Sequence, residues 1–216
     1  MSSSSTGITV STTDSQPVKA LLPVASGNEE VEFTALFNVL GRGGIEVTVA
    51  SVEDTAEAVV LQKGLRVLPD CTLAEAAGTQ WDAIVMAGGV PGAMNLAASD
   101  QLRRMLQDHY AAGRLVGAIC LSPALVLEPA GVLANSRRAT CNPMPIKTPD
   151  QEWPPDEFTS RLGDRFDRDA RVCVDEENRV ITSQAPGTAI EFALAVVTML
   201  QGEAVAKQIS DYILLR

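Results

Sequence analysis

Apolar positions along the 216-residue chain keep two rhythms. "KALLPVA" (19–25), "IEVTVASV" (45–52), "WDAIVMAGG" (81–89) and "RLVGAIC" (114–120) are unbroken apolar runs of strand length. Between them, "EEVEFTALFNVLGR" (29–42) and "DQLRRMLQDHYAAG" (100–113) repeat apolar residues at helical spacing, and each is closed by a glycine suited to a helix C-cap. A strand without a polar face must be covered on both sides, and helices alternating with such strands supply the cover. The pattern predicts an α/β fold of three layers around a mostly parallel sheet.

The remainder is less regular. "AVVLQKGLRVLPDCTL" (58–73) reads as extended pieces turning at Lys63 and Gly64, outside the main winding. "KTPDQEWPPDEFTSRLGDRFDRDA" (147–170) is rich in Pro and Asp, shows no period, and reads as a loop insertion able to rim a site. "ARVCVDEENRVITS" (170–183) predicts a hairpin turning at Glu177 and Asn178. "PGTAIEFALAVVTMLQG" (186–202) predicts a helix from Pro186 to Gly202, and a final helix carries Val205, Ile209, Ile213 and Leu214 on one face. Residues 19–216 are expected to form one domain, and the Ser/Thr-rich residues 1–18 a disordered tail.

Charge narrows the function. A formal net charge of −10 argues against nucleic acid or an anionic membrane as partner, since both require clustered Lys and Arg. No apolar run approaches the ~20 residues of a membrane span, and the N-terminus has no secretory pattern. The four cysteines, Cys71, Cys120, Cys141 and Cys173, are scattered without metal-ligand spacing. Free thiols in a reducing cytoplasm are expected, with no metal and no cofactor.

Candidate chemistry centres on "RLVGAICLSPA" (114–124), where an apolar strand stops at Cys120. A sharp strand-to-helix turn that exposes its central side chain needs small residues two positions to either side, and Ala118 and Ser122 meet that need. The opening N–H groups of the following helix would favour a thiolate at Cys120. An ordinary buried thiol at a strand end is the other reading. Gly88 and Gly89 follow a strand in "MAGGVPGAMNL" and offer backbone N–H groups as an oxyanion hole, or form only a tight turn. In "SGNEEVEF", Glu29, Glu30 and Glu32 suit a helix N-terminus, and alternation with Val31 and Phe33 turns one acid to the opposite face, able to look inward. The lone histidine, His109, falls late in a helix running away from that edge, so it is expected as an exposed residue roughly a strand length, ~17 Å, from the thiol.

These motifs in order, with "GGIEVTVASV", "LPDCTL" and "GAICLSPALVL", resemble the ThiJ/PfpI superfamily from about Lys19 to the C-terminus, closest to its parkinsonism-associated deglycase branch. The resemblance implies a flavodoxin-like sandwich, a homodimer, and Cys120 as the reactive cysteine. It further implies that a protonated Glu32 donates a hydrogen bond to that cysteine and that Gly88 and Gly89 supply N–H groups. Leu121, beside the nucleophile, completes the candidate catalytic set. Departures accompany the likeness: Asn142, in Cys141-Asn142-Pro143, stands where the family pattern has histidine, and Ser122 where it usually has glycine. Lys63 matches an arginine that in relatives reaches toward the partner's site, and Arg42 matches another. Cys141 is a candidate resolving thiol beside Cys120, or a simple strand residue.

Two functions from different classes follow. One is a cofactor-free glyoxalase or deglycase acting on methylglyoxal-type 2-oxoaldehydes or their adducts with thiols and amines, slowed by Asn142 in place of histidine. The other is a redox sensor or chaperone-like stress protein in which Cys120 oxidises to a sulfinate held by Glu32. Peptidase chemistry lacks a base, and a thiamine-biosynthetic role lacks a phosphate-binding motif.

Overall fold

The computed structural model describes residues 16–55, 57–154 and 156–215. The predicted tail therefore lies almost wholly outside the described residues. The chain runs through β1 (Lys19–Val24), α1 (Glu30–Arg42), β2 (Glu46–Ser51), β3 (Val59–Val60), β4 (Arg66–Val67), β5 (Cys71–Thr72) and α2 (Leu73–Ala76). It continues as β6 (Ala83–Met86), α3 (Gly92–Ala98), α4 (Asp100–Ala111), β7 (Leu115–Ile119) and a π-helical turn at Pro123–Leu127. The last third holds β8 (Ile146–Lys147), β9 (Glu152–Trp153), α5 (Asp156–Leu162), β10 (Val172–Asp175), β11 (Val180–Ser183), α6 (Ala189–Gln201) and α7 (Glu203–Tyr212).

Seven strands form the central sheet in the order β10-β11-β7-β6-β1-β2-β5. All pairs are parallel except β10 with β11. The four apolar runs became β1, β2, β6 and β7 because a central parallel strand buries both faces; every residue of β6 and β7 is buried. Helices α1 and α7 both pack against α6, and α3 packs with α4 and the π-helical turn. The three-layer α/β architecture read from the pattern is what the chain adopts. Gly117 is tightly enclosed: a Cβ there would stand 3.0 Å from the Phe192 ring of α6, so the helix lies directly on β7.

Two expectations change. Residues 147–170 are not loop throughout: they hold β9 and α5, whose Phe158 and Leu162 are buried against the π-helical turn. The pattern is too short to show a period, yet two apolar residues four apart suffice to seat a helix of about two turns. His109 is buried, not exposed. Its Nε2 donates to the Leu115 carbonyl at 3.0 Å, which fastens the end of α4 to the start of β7. Burial of the imidazole lowers its pKa to about 4, so the ring is neutral. Its place at the far edge of the sheet agrees with the topology argument, because β7 separates Leu115 from Cys120.

Candidate active site

In a parallel sheet the C-terminal ends of neighbouring strands share one edge, and ligands bind in the crevice there. Strands β1, β6 and β7 deliver the Asn28–Glu32 turn, the Gly88–Gly89 turn and Cys120 to that edge. The π-helical turn begins only at Pro123, and Cys120 adopts φ 66°, the left-handed region that costs a non-glycine residue about 1–2 kcal/mol. The cost is met by fixing both its peptide groups. Cys120 N–H donates to Ser183 O at 3.0 Å, and its carbonyl accepts from Asn142 N–H at 2.8 Å. Ser122 Oγ donates to Ala87 O at 2.7 Å, tying the elbow to the end of β6. A Cβ on Gly88 would lie 2.6 Å from Cys120 Cβ, so only glycine lets β6 and the elbow approach this closely.

Glu32 is the inward-facing acid. Glu29 caps α1 by accepting the Glu32 N–H at 2.9 Å, while Val31 points outward and Glu32 is fully buried. Its Oε2 accepts the Gly88 N–H at 2.7 Å. Its Oε1 has no hydrogen-bond partner among the described residues; the Cys120 thiol is the neighbouring group that acts on the carboxyl from that side. Burial pushes the Glu32 pKa to about 8 against the pull of the Gly88 N–H, and the nearby Glu29 charge adds to the rise. The carboxyl therefore carries a proton at neutral pH.

Cys120 is 4% exposed, and its thiol does not have the lowered pKa expected from a helix N-terminus. Burial holds it well above the ordinary thiol value, and a negative charge on Glu32 would raise it further. The Asn142 Nδ2, 3.6 Å from the sulfur, and the Gly89 N–H pull the other way. Sulfur and carboxyl thus cannot both ionise, and a neutral Glu32 is the partner that favours a thiolate.

The predicted donors are redistributed. Gly88 cannot serve an oxyanion, since its N–H is spent on Glu32. Gly89, at φ 94°, faces the sulfur, and no backbone carbonyl among the described residues takes the Leu121 N–H. Asn142 Oδ1 accepts from Met144 N–H at 2.8 Å, which turns Nδ2 toward Cys120. Cys141 is fully buried, and burial pushes its thiol to about 12, which counts against it as a resolving thiol. Lys63 stands at the rim: its N–H donates to the Glu30 carboxylate and its charge acts on Glu29. Arg42 is not brought to the site; it stacks over Tyr212, 4.9 Å from the ring centre, at the other end of α1.

Sequence reasoning missed Asn28. Fully buried, it accepts the Ala25 N–H at 2.7 Å and donates to Gly88 O at 2.7 Å, so it fixes the turn that aims both Glu32 and Gly89. The available signal was an asparagine between Gly27 and the capping Glu29, since a short amide readily bridges backbone groups in tight turns. No group of three or more His, Cys, Asp and Glu able to hold a metal ion occurs among the described residues, and no helix among them is long and apolar enough to cross a membrane.

Residues 18–199 match the model of the DJ-1/PfpI family. Protein DJ-1 homolog B of Arabidopsis thaliana is 37% identical over 190 residues, 88% of this chain and 40% of that protein. The glutathione-independent glyoxalase DJR-1.2 of Caenorhabditis elegans is 36% identical over 174 residues, 81% of this chain and 83% of that one. The chain spans less than half the length of the two Arabidopsis relatives it matches, 40% and 46%. Among solved structures, oxidized DJ-1 of Toxoplasma gondii superposes with a TM-score of 0.81 at 37% identity, covering 91% of this chain and 98% of that one. DJ-1beta of Drosophila melanogaster also gives 0.81, at 30% identity, covering 93% of this chain and 100% of its own.

Proposed function

The chain belongs to the DJ-1/PfpI family, and we propose that it is a cysteine-dependent, cofactor-free glyoxalase or deglycase, acting on methylglyoxal-type 2-oxoaldehydes or their adducts. The observation that carries this reading is the pairing of a protonated, buried Glu32 with the Cys120 thiol beside unspent N–H donors.

Both groups are neutral at pH 7, so the thiol gives up its proton to water as the sulfur adds to the aldehyde carbon. The S–C bond forms and the carbonyl π electrons move to oxygen, facing the Gly89 and Leu121 N–H groups, while Glu32 gives that oxygen its proton. The resulting carboxylate removes the C–H proton of the hemithioacetal carbon, and the electrons flow onto the adjacent ketone oxygen as an enediolate, whose remaining hydroxyl proton passes to that oxygen in the next step. Reprotonation at the second carbon leaves a thioester on Cys120, and water cleaves it to a 2-hydroxy acid and the thiol. One substrate carbon is oxidised as its neighbour is reduced, so the balance needs water and no redox cofactor.

Asn142 limits the rate in this account. Standing in the family histidine's place, it offers the sulfur a donor but cannot relay a proton at neutral pH. The test is glutathione-free turnover of methylglyoxal to lactate by wild type and by Cys120→Ser. Slow lactate formation that vanishes in the variant supports the reading, and equal rates in both overturn it.

A second reading rests on the crowding of donors around a sulfur that is only 4% exposed. Asn142 Nδ2, the Gly89 N–H and the Glu32 O–H could hold the oxygens of a sulfinate, as a peroxide sensor requires. Under that reading methylglyoxal turnover is negligible while peroxide still converts Cys120. We place the protein in a reducing cytoplasm, in keeping with four free cysteines, and as a homodimer joined through the exposed Val31 and Phe37 of α1 and the hairpin bearing Lys63.

A further inference from the structure

The opposite edge of the sheet holds a cavity unrelated to the elbow. Strands β7 and β11 are register neighbours, Val116 facing Val180, and Val116 N–H donates to Arg179 O at 3.0 Å. The residues that lead into them, Arg114 and Arg179, therefore emerge side by side at the N-terminal edge. They line a cavity of about 310 Å³ together with Val18, Asp82, Met199 and Leu200.

Neither guanidinium has a hydrogen-bond or ion-pair partner among the described residues, whereas Arg103, Arg138, Arg161, Arg165 and Arg171 are all paired with carboxylates. Both arginines are half-buried. Arg179 also adopts φ 53°, a conformation that glycine or asparagine would hold at less cost. What sets Arg114 and Arg179 apart from other unpaired arginines of the chain is that both line one cavity.

We propose that this cavity binds a small aliphatic monocarboxylate. Guanidinium forks match a carboxylate's two oxygens in geometry. Two arginines against Asp82 leave one net positive charge in the lining, which neutralises a monoanion and falls short for a phosphate dianion. Val18, Met199 and Leu200 provide the apolar wall for a short carbon chain. Asp82 Oδ2 is occupied by the Lys19 N–H at 2.8 Å, which leaves its other oxygen as an acceptor for a ligand hydroxyl, so a hydroxylated acid should bind better than a plain one.

The test titrates the ¹⁵N-labelled full chain with sodium lactate, sodium propionate and sodium phosphate, sodium chloride holding ionic strength constant. Expected are saturable shifts of the Arg114 and Arg179 Nε–H signals and the Gly113 amide, with a lactate Kd on the order of millimolar and propionate weaker. Phosphate should shift them less at equal concentration. Arg179→Gln should weaken lactate binding at least tenfold, and Arg179→Lys, which keeps the charge and loses the fork, should give an intermediate value. Linear shifts equal to those with chloride, tighter binding of phosphate than of either carboxylate, or undiminished lactate binding by Arg179→Gln would each overturn the proposal. Cys120→Ser should bind lactate as wild type does, which separates this cavity from the elbow whatever the fate of the proposed catalytic reaction.

Discussion

Asn142 is held by its own carbonyl so that its amide faces Cys120: Oδ1 accepts from Met144 N–H at 2.8 Å, and Nδ2 stands 3.6 Å from the sulfur. The donor is always present and never titrates. Asn142→His should therefore add the missing proton relay, raising kcat for methylglyoxal on the order of tenfold, a fraction of the ~10²–10⁴ available to a well-placed acid–base group. KM should change little, and a new ionisation near pH 6 to 7 should enter the rate profile. Steady-state kinetics across pH checks this; an inert Asn142→His would mean that Glu32 or water already carries every proton.

Glu32 should make the fold weaker as pH rises. Its folded pKa, about 8, lies above the ordinary 4.5, so the folded state holds a proton the unfolded chain has released. The stability gained is full below pH 4.5 and is lost as pH climbs through 8, by up to about 4–5 kcal/mol. Glu32→Gln keeps the shape without the ionisation. It should melt higher than wild type at pH 8, melt about equally at pH 4.5, and lose turnover at both.

His109 acts in the opposite direction. Its folded pKa of about 4 lies below the ordinary 6.5, so the unfolded chain takes up the proton first as pH falls. Its contribution is complete above pH 6.5 and declines toward pH 4, by about 3 kcal/mol at most. His109→Gln, which can still donate to Leu115 O, should flatten the acid limb of a melting-temperature profile measured from pH 4 to 7. Between pH 4.5 and 6.5 the two groups oppose each other, and only the single variants separate them.

The frame was legible because continuous apolar runs and helical spacing are properties of composition along the chain; β1, β2, β6, β7, α1 and α4 all fall where the pattern puts them. A strand end marks Cys120 in the sequence, and the alternation turns one of three acids inward; it was the family resemblance that singled out Glu32 and Asn142. What the pattern cannot carry is the partner of each group. That Gly88 spends its N–H on Glu32, that no helix starts directly at Cys120, and that Asn28 ties two turns together are long-range facts of packing. The thiol's raised pKa follows from burial, which a local reading of helix polarity misses.

The central claim is that Glu32 is a neutral acid at physiological pH, hydrogen-bonded to Cys120. Infrared difference spectroscopy of wild type minus Glu32→Gln at pH 7 tests it directly. A protonated-carboxyl C=O band that disappears with a midpoint near pH 8, and whose position shifts in Cys120→Ser, is the predicted result. A spectrum showing only ionised carboxylate at pH 7 would contradict it.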